Sequence, residues 1–471
     1  MDLTRSSLKI FGSKVASAVI SFAGITFFAR ELSASQLGSF FLFQALLGIL
    51  AIPADFGIRG AVEKRISEGK DADSVLTTAV LLKLVPLAVI VFGIVLFQGL
   101  IDEYVGVSIA LYLAVALVLQ EFAQLVVFVL RGELRVGETA LLQFSRQAIW
   151  VGLGAAFVFS DRGVRGLVIG LLVGFGVMLL WGVYKMSTGI SAPSKGYARS
   201  LVDYSKYNFI SSIGGYFYNW MDVAIIGLFL TQADVGAYEI AWRVTAVVML
   251  FSQSIATTIF PQVSEWDATD ATERIEEILP RTITPSLFFL IPSFFGTVLF
   301  SKEILEVIFG AEYATAWLVL VVLMMDKVFQ GIQVIIGRSL QAIDRPDLSA
   351  RAAFVSIVSN FLLNLALISQ FGIIGAAVAT VTSSVINDLM HAFYLSEFLS
   401  IRFPSREIGW CVIGSIVMLI FLSVVKSLVE VDTITELAAA ISFGAVIYLF
   451  FVISSSSFRL RTVSQLQSLL D

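Results

Sequence analysis

Cysteine and histidine are nearly absent: Cys411 and His391 stand alone in 471 residues. A lone cysteine excludes a disulfide framework and any multi-cysteine metal centre. A lone histidine excludes histidine metal clusters and argues against triad hydrolysis. Charge is scarce as well. Asp, Glu, Lys and Arg make up 14% of the chain, against roughly 25% in an ordinary soluble domain, too little to clothe a soluble fold of this size. The formal balance of −5, spread over short loops, offers no basic surface for nucleic acid. Phosphate-loop chemistry is missing too, because Gly69-Lys70 has no upstream glycine at the required spacing. Asp55-Phe56-Gly57 stands without any other kinase element, and Asp71-Ala72-Asp73 without a nucleotide-binding domain reads as a solvated charged turn. No cofactor, no metal and no enzymatic activity are expected.

What is abundant is apolar sequence. Hydrophobic residues make up 58% of the chain, in runs of about 20 residues, the length that crosses a hydrocarbon core as a helix. The runs lack two-residue alternation, which disfavours a membrane β-barrel. The sequence therefore predicts an all-α polytopic membrane protein with about fourteen spans. They lie near 10–29, 36–58, 75–97, 106–130, 139–159, 164–184, 206–230, 235–260, 281–300, 313–337, 352–370, 372–395, 406–425 and 433–453. The run from Val15 to Phe28, followed by Ser33-Ala34-Ser35, has features of a signal peptide. Arg30-Glu31 and a second span follow at once, however, as in a helical hairpin.

Basic residues orient the spans. Arg59, Lys64, Arg65, Lys70, Arg131, Arg135, Lys185, Lys195, Arg199, Arg274, Arg338, Arg345, Arg351, Arg459 and Arg461 fall on one side. Arg30, Arg162, Arg165, Lys302 and Lys426 fall on the other. The basic side is the cytoplasmic one, so an even span count places both termini in the cytoplasm.

The chain repeats itself weakly. Leu32-Ser-Ala-Ser-Gln-Leu-Gly-Ser-Phe40 pairs with Leu230-Thr-Gln-Ala-Asp-Val-Gly-Ala-Tyr238, Leu130-Arg-Gly-Glu-Leu-Arg135 with Leu340-Gln-Ala-Ile-Asp-Arg345, and Gly163-Val-Arg-Gly166 with Gly372-Ile-Ile-Gly375. Each match holds the same place in a six-span unit, and an even number of spans gives both units one orientation. A pseudo-two-fold along the membrane normal then relates them. The expected organisation is a six-helix lobe at 1–190, a second at 191–400, and a terminal helix pair with a cytoplasmic tail at 401–471.

A charge at mid-bilayer costs at least about 2.5–3.5 kcal/mol, so it faces a partner or a watery cavity. The spans nonetheless carry Lys83, Glu121, Arg146, Asp222, Glu239, Arg243, Asp326 and Lys327, together with Asn360 and Asn364. Gln120/Gln124, Gln143/Gln147, Glu239/Arg243 and Asn360/Asn364 share helix faces. Such stripes suit a hydrophilic cavity; interhelical ties worth about 1 kcal/mol each are the structural alternative. The cations Lys83, Arg146, Arg243 and Lys327 are suited to a phosphate or pyrophosphate. Asp55 and Asp388, nearer the cytoplasmic ends, read as residues that fix helix ends or make gate contacts, and His391 as an interfacial side chain without a role.

The chain resembles the multidrug/oligosaccharidyl-lipid/polysaccharide exporter superfamily. The stretch Leu32–Phe40, then Ile52-Pro-Ala-Asp-Phe-Gly-Ile58 with Arg65-Ile66, is similar to the start of its polysaccharide-transport branch, the O-antigen (Wzx-type) flippases. Leu340-Gln-Ala-Ile-Asp-Arg-Pro346 with Ser349-Ala350-Arg351 is similar to the same branch. The resemblance implies a flippase that moves polyprenyl- or dolichyl-phosphate-linked oligosaccharide from the cytoplasmic to the outer leaflet by alternating access. It would serve cell-surface polysaccharide or glycoprotein synthesis, including archaeal surface-layer N-glycans. The resemblance further implies a lipid-linked sugar and membrane lipid as partners, and contacts with glycosyltransferases or polymerases of the pathway. The energy would come either from a coupling cation through Glu121, Asp222 or Asp326 or from downstream consumption of the flipped lipid, and the sequence leaves both open. The departure from the family is the number of buried acids, which puts a purely cationic cavity in doubt. The rival expectations are a cation-coupled drug or metabolite antiporter of the same fold, and a polytopic glycosyltransferase or polymerase.

Overall fold

A computed structural model describes residues 3–400 and 403–454; Arg459 and Arg461 lie outside these. All regular structure among the described residues is helical. The helices are α1 (Leu3–Glu31), α2 (Ala34–Asp55), α3 (Ile58–Ser67), α4 (Ala72–Leu96), α5 (Gln98–Val105), α6 (Ala110–Gly132), α7 (Val136–Val158) and α8 (Gly163–Lys185). There follow α9 (Lys195–Phe229), α10 (Gln232–Ala268), α11 (Thr272–Phe309), α12 (Trp317–Ala342), α13 (Pro346–Ser396), α14 (Ser405–Leu428) and α15 (Ile434–Ser454).

Among the described residues, ten helices are long and apolar enough to cross a membrane. The fourteen expected spans all fall on helices, but the count of fourteen goes beyond these ten. Part of the difference has physical sources. Helix α7 is interrupted by Gln143, Arg146 and Gln147. Helix α13 runs for 51 residues and holds two expected spans, its arms meeting at Gly372 with φ +61° and ψ −143°.

The sequence repeat is a repeat of local conformation. Ser33 and Gln36 form a reciprocal capping box at the start of α2, and Thr231 and Asp234 do the same at the start of α10. Each box satisfies backbone N–H groups that a helix start leaves unpaired. Leu134 and Asp344 both turn left-handed (φ +61° and +56°). Behind them Arg135 N donates to Leu130 O and Arg345 N to Leu340 O, the 6→1 bond of a Schellman helix stop. Gly163 and Gly372 are left-handed as well. Gly38 and Gly236 explain the glycine within the first pair. A Cβ on Gly38 would overlap the Gln232 carbonyl, and one on Gly236 the Ala34 carbonyl. The starts of α2 and α10 therefore cross backbone on backbone, which only small residues permit.

The chain divides into two compact units, Met1–Gly236 and Ala237–Asp471. In the first, α3 packs with α4, α6 and α9 around Ile58, Val62, Val75, Ala79, Leu125 and Leu201. In the second, the terminal pair packs on α11: Tyr448 donates to the Phe288 carbonyl at 2.9 Å, and Lys426 meets Glu303 at 2.6 Å.

Candidate functional site

The span expected at 36–58 is broken rather than continuous. Helix α2 carries Pro53 and stops at Asp55; Phe56 (φ 50°) and Gly57 (φ 75°) are both left-handed, and α3 then starts afresh. A left-handed phenylalanine is strained, and glycine is the residue that follows such a turn at no steric cost. The far end of α3 is exposed, and hydrogen bonds from Arg65 and Lys64 there hold the Glu68 carboxyl below the usual carboxylate range. The break lies about 15 Å along the helix from that end.

At the break stands a buried four-charge cluster. Lys83, roughly halfway along α4, is completely buried. Its ammonium lies 2.5 Å from Asp55 Oδ1 and 2.6 Å from Glu121 Oε2. Arg59 Nε meets the same Asp55 oxygen at 3.0 Å, and its guanidinium lies over the Phe128 ring. Glu121, midway along α6, is itself completely buried. Neither of its oxygens accepts an aligned hydrogen bond among the described residues, so the Lys83 charge is its compensation. Two acids and two bases cancel, which is the condition for charges at such depth. Asp55 therefore does more than close a helix: it ties α2 to α4.

Arg146, midway along α7, is different. Its guanidinium donates to Gln147 Oε1 at 3.2 Å and lies 5.3 Å from the centre of the Phe175 ring. Among the described residues no carboxylate pairs with it, and it does not join the Lys83 cluster. Asp222 is half-buried on α9.

The second unit holds two further groups. Glu239 is buried and pairs with Arg243 at 2.8 Å along one helix face. On α12, Lys327 Nζ contacts Asp326 Oδ2 at 3.1 Å and Gln330 Oε1 at 3.2 Å, while Gln330 Nε2 donates to that Asp326 oxygen at 2.6 Å. Trp242 presents its ring to the Lys327 ammonium at 5.9 Å. Asn360 and Asn364 form a separate uncharged tie. Asn364 Nδ2 donates to the carbonyl and side-chain oxygens of Asn360, each at 3.0 Å, and Asn360 Nδ2 to Thr380 Oγ1 at 3.4 Å. His391, expected at an interface, is buried, with Nδ1 2.9 Å from the Asn387 carbonyl.

The structure thus joins Lys83 to Glu121, Asp326 to Lys327, and Asn360 to Asn364. Sequence reasoning took Asp55 only as a helix-end residue and Arg59 only as an orienting charge, and placed neither with Lys83. Their signal was the Pro53–Gly57 spacing, which marks a helix break, with a carboxylate inside it.

Comparison with known proteins follows the same lines. The polysaccharide biosynthesis protein family matches residues 27–318. The chain is 54% identical over 448 residues, 95% of each sequence, to the probable low-salt glycan biosynthesis flippase Agl15 of Haloferax volcanii. To the probable flippase AglR of the same organism it is 29% identical over 476 residues, 99% of this chain and 98% of that protein. Among solved structures, the inward closed conformation of the lipid II flippase MurJ superposes with a TM-score of 0.80 at 17% identity, over 94% of this chain and 98% of that one. An inward-facing multidrug resistance MATE transporter matches with a TM-score of 0.67 at 15% identity, over 81% and 95%. The fold is the one these transporters share.

Proposed function

Because the chain belongs to the polysaccharide biosynthesis protein family, we propose that it is a multi-pass membrane flippase for a lipid-linked oligosaccharide. It carries a polyprenyl- or dolichyl-phosphate-linked glycan from the cytoplasmic to the outer leaflet by alternating access, and both of its termini face the cytoplasm of the cell membrane. The single observation that carries this reading is the 54% identity, over 95% of both chains, to a protein named as a glycan biosynthesis flippase. The absence of a Walker sequence and of any credible catalytic set in the sequence agrees with transport rather than with chemistry.

Within this reading the buried polar groups divide by what already pairs them. Lys83, Arg243 and Lys327 are each held by a carboxylate. Arg146 has no such partner among the described residues, which makes it the first cation to assign to the carrier phosphate. Asn360 and Asn364 belong to sugar hydroxyls or to helix ties, and Glu121, Asp222 and Asp326 are the acids through which a cation gradient would act. The grouping of spans as six, six and two, and contacts with glycosyltransferases or polymerases, belong to the same proposal.

The test is a deletion strain in which lipid-linked glycans are quantified by leaflet. Accumulation of finished glycolipid on the cytoplasmic face supports the flippase. Unchanged glycolipids with altered drug efflux would point instead to the antiporter use of this fold, and a glycan short of one sugar to a transferase.

A further inference from the structure

A cavity of about 710 Å³ opens in the first unit between α4 and the start of α9, with the helix break at Phe56 in its wall. Helix α4 lines it with Leu81, Leu82, Val85 and Pro86; helix α9 lines it with Lys195, Ala198, Val202 and Ser205. Ten helical steps separate Lys195 from Ser205, so the groove runs for about 15 Å along the helix. Its volume and its mostly apolar lining with few polar groups are those of a ligand site.

Its polar groups are arranged by depth. At the mouth, Ser194 N donates to Thr78 Oγ1 at 3.0 Å, pinning the start of α9 against α4. Lys195 is exposed there and forms no ion pair among the described residues. Helix α9 has no side-chain cap, so its first-turn N–H groups and the positive end of its dipole face the same place. The mouth is therefore complementary to an anion. At the deep end Ser205 is completely buried, and its hydroxyl has no hydrogen-bond partner among the described residues. A hydroxyl left unmet in an apolar cavity costs free energy, and a saturated tail would leave it so. The double bonds of a polyisoprenoid offer π density, a weak hydrogen-bond acceptor.

We propose that this groove seats the phosphate-proximal isoprenoid segment of an unsaturated polyprenyl carrier, with Lys195 and the first turn of α9 on the phosphate and Ser205 against the chain. The identity of the occupant as the transported carrier rests on the flippase reading; the chemistry of the groove does not. Val85 is 67% exposed at the lip, so Val85→Trp fills the groove without disturbing a core.

The experiment uses the full chain in nanodiscs of saturated phytanyl phospholipid, with a long-chain polyprenyl monophosphate carrying a diazirine near the phosphate. Labelling is expected on residues 81–86 of α4 and 198–205 of α9. Val85→Trp and Lys195→Glu should each weaken it about tenfold, a loss of about 1.4 kcal/mol, and Lys195→Glu should spare binding of free polyprenol. Ser205→Ala should weaken the polyprenyl probe and leave a saturated analogue unchanged. Labelling elsewhere, equal competition by saturated phytanyl phosphate, or undiminished labelling of a folded Val85→Trp protein would overturn the proposal. Flipping is measured in parallel. A wild-type protein that binds the probe in the groove yet moves no lipid-linked glycan defeats the flippase reading alone. One that flips as fast with Val85→Trp as without it defeats the groove.

Discussion

Removing the Lys83 charge should be costly, and removing Glu121 with it should recover much of the cost. Lys83 is completely buried and touches both Asp55 and Glu121. In Lys83→Met, Asp55 keeps Arg59 as a counter-ion, but Glu121 is left with none. Breaking a buried pair by deleting one partner costs about 3–5 kcal/mol, and a lone carboxylate at mid-bilayer costs about 2.5–3.5 kcal/mol on insertion scales. The two routes agree on about 3 kcal/mol for Lys83→Met. Glu121→Gln alone leaves Lys83 paired with Asp55 and should cost about 1–2 kcal/mol. In the double variant Met faces a neutral amide and the Asp55–Arg59 pair survives. Its cost should fall at least about 2 kcal/mol below the sum of the single ones, a coupling in the range of residues that share one network. Reversible unfolding in mixed detergent–SDS micelles, followed by circular dichroism, measures all three. Strict additivity, or a Lys83→Met cost under about 1 kcal/mol, would refute the claim that Lys83 neutralises Glu121.

Three further outcomes follow from the geometry. Gly57→Ala forces a side chain into φ 75° and should cost about 1–2 kcal/mol, while lowering glycolipid flipping because the break beside Asp55 is re-aimed; unchanged stability and flipping would count against a required break. Gly38→Ala should cost about 1–3 kcal/mol by overpacking, because its Cβ meets the Gln232 backbone, whereas Gly93→Ala points into open space and should cost nothing; thermal unfolding of the pair checks this. Arg146→Ala should abolish flipping in the leaflet assay with little change in stability, since no carboxylate is orphaned by it, and Arg146→Lys should restore part; full activity of Arg146→Ala would remove this cation from the phosphate path.

How far the sequence could be read depends on the range of the interaction. Helix starts and stops are local, and Ser33–Gln36, Thr231–Asp234 and the left-handed Leu134 and Asp344 are capping signals that a short window contains. The repeat was legible for that reason: what recurs is cap chemistry. Glu239–Arg243 was legible too, as an i, i+4 pair on one helix. The Asp55–Lys83 and Lys83–Glu121 pairs were not. Each joins two different helices, and nothing in the spacing of single charges says which helix a side chain will meet. The break at Phe56–Gly57 was hidden because apolar residues continue through it to Ile58, so periodicity alone reads one span. The sequence marked Arg146 only as one buried cation among several; the pairing of the others singles it out.

The pattern of pairing bears on how such a protein moves. Asp55, Arg59, Lys83 and Glu121 all lie in Met1–Gly236, and Glu239, Arg243, Asp326 and Lys327 all lie in Ala237–Asp471. Each unit thus neutralises these charges with its own residues. A buried pair that had to separate in a transport cycle would add its breaking cost, about 3–5 kcal/mol, to the barrier of every turnover. Pairs closed within a unit add nothing when units move as bodies, because their geometry travels with them. Under the flippase reading, the rearranging charge contacts are then those made to the substrate phosphate. Arg146, which no carboxylate of the described chain holds, would make such a contact without first breaking an ion pair.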